Sequence, residues 1–180
     1  MNPSLPALRA VVFSDSTSHP DSVAFGPDTA GATAIQTIAL DGEFESPPTY
    51  ARDALRMIDI DADGYADLLI GKFWGATGNT YYAIWMFEPA TRRFVIDTSL
   101  HEDTPFKYVV PGRPCIWTAS NTSAWDNSGA MLCRRGGRWI VDSTAESSYD
   151  RAKQQITETY RARRHDSLVV VQRRVSRDTT

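Results

Sequence analysis

Tyr81-Tyr82-Ala83-Ile84-Trp85-Met86-Phe87 is a continuous run of aromatic and aliphatic side chains. Such residues favour β-strands, and the following Glu88-Pro89-Ala90-Thr91 is typical of a turn. A second run suited to a strand, Arg93-Phe94-Val95-Ile96, comes after this turn. In a strand, odd-numbered residues of the first run would lie on one face and even-numbered residues on the other. The region therefore predicts antiparallel sheet.

Similar segments recur along the chain. Ala10–Phe13 and Ala34–Leu40 are rich in β-branched or aliphatic residues, and we find no window in which apolar residues repeat at the helical period over three turns. Near the end, Ile156–Arg163 and Leu168–Val175 flank the polar turn Arg164–Ser167, which predicts a long hairpin. We predict an all-β fold, antiparallel and either propeller-like or sandwich-like, with this C-terminal hairpin.

Length and composition indicate one globular domain. The chain has 180 residues, of which 42% are hydrophobic and 23% are charged, so a single domain over residues 1–180 is expected, with flexible ends at 1–7 and 177–180. A net charge of -3 and the lack of a long apolar run disfavour a nucleic-acid partner and a membrane span. A short helix over Ser147–Gln155 is compatible with its residues, although nothing demands one.

Charge is unevenly distributed between the two parts of the sequence. Residues 1–111 hold 15 acids and 7 bases, a net -8, whereas residues 112–180 hold 7 acids and 12 bases, a net +5. This asymmetry suits recognition of a charged partner. The alternative is that solvated strand faces simply differ in charge.

The strongest chemical signal is the segment Asp59-Ile60-Asp61-Ala62-Asp63-Gly64-Tyr65-Ala66-Asp67. Carboxylates at alternate positions of a tight loop converge on one point, Gly64 supplies a sharp turn, and the Tyr65 backbone carbonyl adds a further oxygen. Oxygen ligands of this kind favour Ca²⁺ over zinc or copper. The predicted calcium ligands are Asp59, Asp61, Asp63, Tyr65 and Asp67.

Two other interpretations of this loop fit its residues less well. A surface acidic turn would leave four carboxylates repelling one another without a cation. A strict EF-hand is excluded because Ile70 occupies the twelfth loop position, where a bidentate Glu belongs, and because short apolar runs rather than amphipathic helices flank the loop. Without that Glu, we expect weak affinity, with a Kd on the order of 10⁻⁵ to 10⁻³ M, which suits an extracytoplasmic space.

The strand, acidic loop and strand resemble the calcium loops of FG-GAP and integrin-type β-propeller repeats. Residues 38–100 more broadly resemble the periplasmic lysozyme-inhibitor-like immunity proteins that bacteria pair with cell-wall-degrading effectors of interbacterial secretion systems. The segments that carry this second resemblance are Leu40–Phe44, Met57–Ile70, Gly78–Tyr82, Trp85–Phe87 and Thr91–Val95. It implies an all-β scaffold, export to the periplasm, calcium dependence, and insertion of a loop into the active cleft of a peptidoglycan hydrolase.

Cys115 and Cys133 are the only cysteines, with 17 residues between them, in segments that could form neighbouring strands. A disulfide between them agrees with an oxidising compartment, and two reduced buried thiols are the alternative. We therefore expect a periplasmic protein whose signal or lipoprotein leader has been removed.

Loops that combine backbone freedom with small polar groups and an aromatic anchor are candidate contacts for the hydrolase. Ser128-Gly129 resembles the Ser-Gly element of some lysozyme inhibitors, although Met131 and Leu132 stand where a Tyr usually follows. The predicted partner-binding residues are Asn79, Tyr81, Trp125, Ser128 and Gly129.

No catalytic set stands out, so we predict a protein that is not an enzyme. The three histidines are scattered, and Glu43 and Glu45 are the single pair of carboxylates that could suit a glycosidase. The sequence favours a calcium-stabilised inhibitor that blocks a lysozyme-like effector. A calcium-dependent adhesion or carbohydrate-binding module is the alternative.

Overall fold

The computed structural model describes residues 8–14, 16, 20–40, 55–75, 77–100, 105–123 and 125–177. All regular elements within these residues are β-strands, which confirms the predicted all-β class. The glycosidase candidates Glu43 and Glu45 lie outside the described residues, as do His19 and His101. No helix able to cross a bilayer is found in the described part of the chain.

Within the described residues, thirteen strands follow one another and are numbered in sequence order. They are β1 (Leu8–Ser14), β2 (Pro20–Pro27), β3 (Gln36–Ala39), β4 (Leu55–Ile58), β5 (Asp67–Trp74), β6 (Thr80–Glu88), β7 (Arg93–Ile96), β8 (Phe106–Val109), β9 (Cys115–Asn121), β10 (Asn127–Arg135), β11 (Arg138–Asp150), β12 (Gln155–Arg164) and β13 (Ser167–Arg177).

The strands form three sheets in two compact units. The first unit contains the sheets β1-β2-β3 and β4-β5-β6-β7, and the second contains the six-stranded sheet β8 to β13 together with residues 75–80. In each sheet, neighbouring strands are also neighbours in sequence, so short connections suffice. The prediction that residues 1–180 form a single domain stays a prediction.

The core of the first unit lies between its two sheets. Val23 and Phe25 of β2 and Ile38 of β3 are buried against the second sheet. Phe94 of β7 is central to this core because its ring centroid lies 4.6 Å from that of Phe25 and 5.2 Å from that of Phe87. Tilted aromatic contacts at these separations add to the stabilisation from apolar burial.

The predicted alternation in β6 explains how that strand contributes to the core. Phe87 is buried in the cluster, and Ala83 and Trp85 pack against it from the same face of β6. The even-numbered residues Tyr82, Ile84 and Met86 are buried as well. A strand buried on both faces carries apolar residues at nearly every position, which is what the sequence of β6 shows.

A reciprocal amide bridge joins the edges of the first unit's two sheets. The Gln36 side chain on β3 accepts a hydrogen bond from the Phe94 backbone N–H and donates one to the Phe94 carbonyl, each at 2.8 Å. Because β3 and β7 are edge strands, the Phe94 N–H and carbonyl have no neighbouring strand on that side, and the Gln36 amide provides their hydrogen-bond partner.

In the second unit, strands β9 to β13 are joined by successive hairpins. The predicted C-terminal hairpin is confirmed: β12 and β13 pair from Arg164 opposite Ser167 to Gln155 opposite Arg177. The short helix that the sequence left open over residues 147–155 does not form, because β11 extends to Asp150 and a turn at residues 151–154 leads directly into β12. Pairing with β12 outweighs the modest helix propensity of this segment.

The predicted disulfide between Cys115 and Cys133 is confirmed. The two residues lie directly opposite each other on β9 and β10, with their Cα atoms 4.0 Å apart, and both are buried. The bond therefore locks the register of the β9–β10 pair as well as closing an 18-residue loop.

Replacing both cysteines, Cys115→Ala with Cys133→Ala, should lower the free energy of unfolding by about 3 kcal/mol, because the unfolded chain regains the entropy of the opened loop. Urea unfolding monitored by circular dichroism measures this change. Wild-type protein in reductant should lose a similar amount, whereas reductant should leave the double variant unchanged. Equal stability of the variant and the wild type would contradict the expectation.

Candidate functional site

The acidic segment forms the connection between β4 and β5. Ile58 at the end of β4 lies opposite Asp67 at the start of β5, so the intervening residues must reverse the chain. They do so with two residues in the left-handed region, Ala62 (φ 61°) and Gly64 (φ 91°). The turn predicted at Gly64 is therefore observed, at a conformation that glycine adopts without a steric cost.

Hydrogen bonds from the backbone orient the loop carboxylates. Asp59 accepts from Asp63 N–H at 3.2 Å through Oδ1 and from Gly64 N–H at 3.0 Å through Oδ2. Asp63 Oδ1 accepts from Tyr65 N–H at 2.8 Å. These local bonds hold the turn in shape, and a carboxylate oxygen has further acceptor capacity beyond one such bond.

Asp67 connects the loop to the core of the first unit. Its side chain is only 1% exposed, and it accepts from Ile60 N–H through Oδ2 and from Phe87 N–H through Oδ1, each at 2.9 Å. Burial raises the pKa of Asp67 to about 7, although both hydrogen bonds oppose that shift and the charges of Asp61 and Asp63 add to it. Burial therefore disfavours the charged form of Asp67 in the absence of a cation.

Three of the predicted ligands converge. Asp59, Asp61 and Asp67 each offer a carboxylate oxygen, and these oxygens lie within 4.8 Å of one another. Asp63 is not part of that trio, but burial and the charges of Asp61 and Asp59 raise its pKa as well. A donor set made only of oxygen fits a hard divalent cation such as Ca²⁺.

The structure gives Tyr65 a packing role that the motif alone did not indicate. Its ring packs against Phe87, with 5.7 Å between the ring centroids. The C-terminal part of the loop therefore contacts the core of the first unit. Whether the Tyr65 carbonyl binds a cation stays a prediction.

The predicted partner-binding residues divide between the two units. Tyr81 is half-buried in β6, whereas Asn79, Trp125, Ser128 and Gly129 belong to the second unit. Asn79 is 5% exposed, and its side chain accepts from Asn121 N–H at 2.9 Å and donates to the Asn121 carbonyl at 3.0 Å. Its observed role is to hold the end of β9, and its contact with a partner stays a prediction.

Asp126 organises the described residues of the connection between β9 and β10. The Asp126 carboxylate accepts from the Ser123 hydroxyl at 2.8 Å and from Tyr149 N–H at 3.1 Å. The Ser123 hydroxyl and, to a smaller extent, the Tyr149 N–H lower the pKa of Asp126 because they stabilise its charged form. Sequence reasoning overlooked Asp126, since a lone Asp in a polar turn carries no distinctive pattern.

The same turn presents an aromatic side chain. Trp125 is 41% exposed and its ring centroid lies 5.4 Å from that of Tyr149, while Ser147 donates to the Trp125 carbonyl at 3.2 Å. These contacts hold the indole on the surface in a defined position, and its contact with a partner stays a prediction.

Comparisons with known proteins establish the fold and no family. No protein-family profile matches the chain, and no curated protein matches it by sequence. Among solved structures, a Xanthomonas type IV secretion system related protein is similar, with a TM-score of 0.57 and 14% identity over 92% of this chain and 87% of that one. At this identity the likeness concerns the architecture alone.

Asp126→Ala should loosen the β9–β10 turn, because it removes the acceptor of the Ser123 hydroxyl and of Tyr149 N–H. We expect hydrogen exchange of the Tyr149 amide to accelerate by about tenfold or more. Asp150→Ala, which removes the cap of the neighbouring β11–β12 turn, is the matched control and should leave the Tyr149 amide unchanged.

The effect of Asp126→Ala should also depend on pH. Because folding lowers the pKa of Asp126, its stabilisation is complete above the ordinary value of 3.8 and disappears as the pH falls through the lowered value. The difference between wild type and variant should therefore shrink in that acidic range. A difference that stays constant to lower pH would contradict this account.

Proposed function

We propose that the protein is a periplasmic inhibitor, stabilised by calcium, that protects a bacterium by blocking the active cleft of a lysozyme-like peptidoglycan hydrolase delivered as an effector. The observation that carries this proposal is the convergence of Asp59, Asp61 and Asp67 in a loop between two strands. The resemblance to the immunity proteins implies a calcium loop at this position, between two strands.

Two further findings support the proposal. The similar Xanthomonas structure is of a type IV secretion system related protein, and cells that make a cell-wall-degrading effector for such a system would need an inhibitor to protect themselves and their sister cells. The Cys115–Cys133 disulfide is typical of proteins that fold in an oxidising compartment such as the periplasm.

Inhibition would work by occlusion and without covalent chemistry. Thr122, Ser123 and Asp126 are joined by hydrogen bonds, and Trp125 beside them presents an exposed indole. These residues could therefore enter a cleft with little further loss of conformational entropy. Ser128 and Gly129 follow at the start of β10, where the exposed Ser128 hydroxyl could bond to the cleft of the hydrolase. The proposed partner is therefore a cell-wall hydrolase.

Calcium would have a structural role in this scheme. Asp59, Asp61 and Asp67 would hold the ion, with Asp63 and the Tyr65 carbonyl as further ligands. The ion would offset the repulsion among the clustered carboxylates. Since Asp67 also bonds to Phe87 N–H, stabilising the loop would stabilise the core of the first unit.

Calcium should raise the free energy of unfolding. With a Kd near 10⁻⁴ M, 10 mM calcium would contribute about 2.7 kcal/mol by mass action. Thermal or urea unfolding in 10 mM calcium and in EGTA measures this. Magnesium should stabilise less, because it retains its waters and suits such a cage poorly.

Matched charge variants test whether this loop binds the ion. Asp61→Asn should reduce the calcium-dependent stabilisation by at least half, since it removes one anionic ligand while preserving side-chain size. Asp28→Asn, an equal charge change at an exposed site in the same unit, should leave it intact. Identical unfolding midpoints of the wild type in calcium and EGTA would remove calcium from the proposal.

The inhibitory activity requires a separate measurement. Mixed with the hydrolase encoded beside its gene, the protein should abolish hydrolysis of purified peptidoglycan at a one-to-one molar ratio in calcium, with weaker inhibition in EGTA. Trp125→Ala should weaken inhibition by about tenfold if the indole anchors the contact. Full hydrolase activity in both buffers would refute the inhibitor proposal.

The competing proposal is a calcium-dependent adhesion or carbohydrate-binding module that uses the same acidic loop. It predicts glycan binding that EGTA abolishes, with no inhibition of a hydrolase. The two assays together therefore separate the two functions.

A further inference from the structure

A shallow groove runs across one face of the six-stranded sheet in the second unit. Its volume is about 160 Å³, and strands β9 to β12 all contribute to its lining. Ala119, Gly129, Ala145 and Tyr160 lie directly opposite one another on successive strands and therefore share this face. The small side chains of the first three form the depression, and Tyr160 borders it.

Trp117 provides a flat aromatic surface in this groove. A Cβ atom added to Gly129 would lie 2.5 Å from Trp117 Cζ2, so the indole of β9 extends over the glycine of β10. The ring can occupy this position only because residue 129 lacks a side chain. Trp117 is nevertheless partly exposed, and Tyr108, directly opposite it on β8, is 53% exposed.

A row of polar side chains runs beside the aromatic surface. Asn121, Asn127, Ser147 and Glu158 lie opposite one another on β9 to β12, two residues along from the small residues. Within the described part of the chain, the side chains of Asn121, Asn127 and Glu158 have no hydrogen-bonding or ionic partner. Their donors and acceptors are therefore available to a ligand.

The charges around the groove are balanced. Glu146, which also lines it, is paired with Arg161 at 2.6 Å, and Arg174 on β13 lies opposite Glu158. A site with balanced charge gives little attraction to a nucleotide or to a strongly charged peptide. A flat aromatic ring beside amide and carboxylate groups instead complements a pyranose, which has an apolar C–H face and a rim of hydroxyl groups that both donate and accept.

We propose that this groove binds a neutral oligosaccharide, with one pyranose ring stacked on Trp117 and its hydroxyl groups bonded to Asn121, Asn127 and Glu158. Tyr108 lies where the next ring of the ligand would stack. No residue of the acidic loop takes part, so the binding does not require calcium. The inference goes beyond hydrolase inhibition and does not depend on it.

The test is titration of the ¹⁵N-labelled full chain with chitotriose and, in parallel, with cellotriose, followed by NMR. Saturable shifts of the Trp117 indole N–H and of the Asn127 side-chain amide are expected, with a Kd on the order of 1 mM because the groove is open and shallow. EGTA should leave the Kd unchanged. Adenosine monophosphate and an acidic hexapeptide serve as probes of the other ligand classes and should not bind.

Variants separate recognition from folding. Trp117→Ala should weaken binding by about tenfold or more, and Trp117→Phe, which keeps a flat ring, should recover most of it. Asn127→Ala, at an exposed position, should weaken it by about threefold to tenfold. Phe13→Ala removes an exposed ring from the first unit and should have no effect.

Three results would overturn the inference. The first is the absence of saturable shifts with either saccharide at 20 mM, and the second is undiminished binding by folded Trp117→Ala. The third is binding that disappears in EGTA while the fold persists, which would assign the glycan to the acidic loop. Because no hydrolase is present, failure here leaves the inhibitor proposal intact, and failure of inhibition leaves this one intact.

Discussion

The first unit depends on one buried carboxylate. Asp67 binds Ile60 N–H on one side and Phe87 N–H on the other, so it connects the acidic loop, the start of β5 and the end of β6. Burying an acid is costly, as its raised pKa shows, and the protein offsets that cost with two backbone donors. Phe87 in turn contacts Phe94, so the geometry of the loop is linked directly to the apolar core.

Polar side chains bond to backbone groups at the edges and ends of strands, where regular hydrogen bonding between strands stops. Gln36 bridges two edge strands in the first unit, and Asn79 performs a similar task at the end of β9 in the second. Asp126 does the same for the β9–β10 turn. All three use side-chain groups to satisfy backbone groups, which is how an all-β protein completes its hydrogen bonding outside regular pairing.

The two proposed sites differ in the physical basis of recognition. The acidic loop concentrates like charge and so favours a cation, whereas the groove on the six-stranded sheet combines a partly exposed indole with polar groups of balanced charge. The first arrangement is a strand-to-strand connection, and the second is a sheet face shaped by Gly129 beneath Trp117. They belong to different units, so each can be tested without altering the other.

The sequence by itself determined the local features. Apolar runs such as Tyr81–Phe87 predicted strands because side chains alternate within a strand, and the long hairpin over residues 155–177 followed from two such runs around a polar turn. Spacing alone predicted that the loop carboxylates would converge, which holds for Asp59, Asp61 and Asp67, and that Gly64 would adopt a positive φ. These properties depend on neighbours within about ten residues, which a sequence displays directly.

Only the tertiary structure decided the features that join distant residues. Asp67 reaches Phe87, Gln36 reaches Phe94, and Trp117 covers Gly129 through pairings between strands that no local pattern encodes. The segment 147–155, whose helix propensity is fair, became strand and turn because β12 supplied a partner. The surroundings of each side chain therefore depend on strand register and on burial. Both are decided by which strands pair in space, and the order of residues along the chain does not show that.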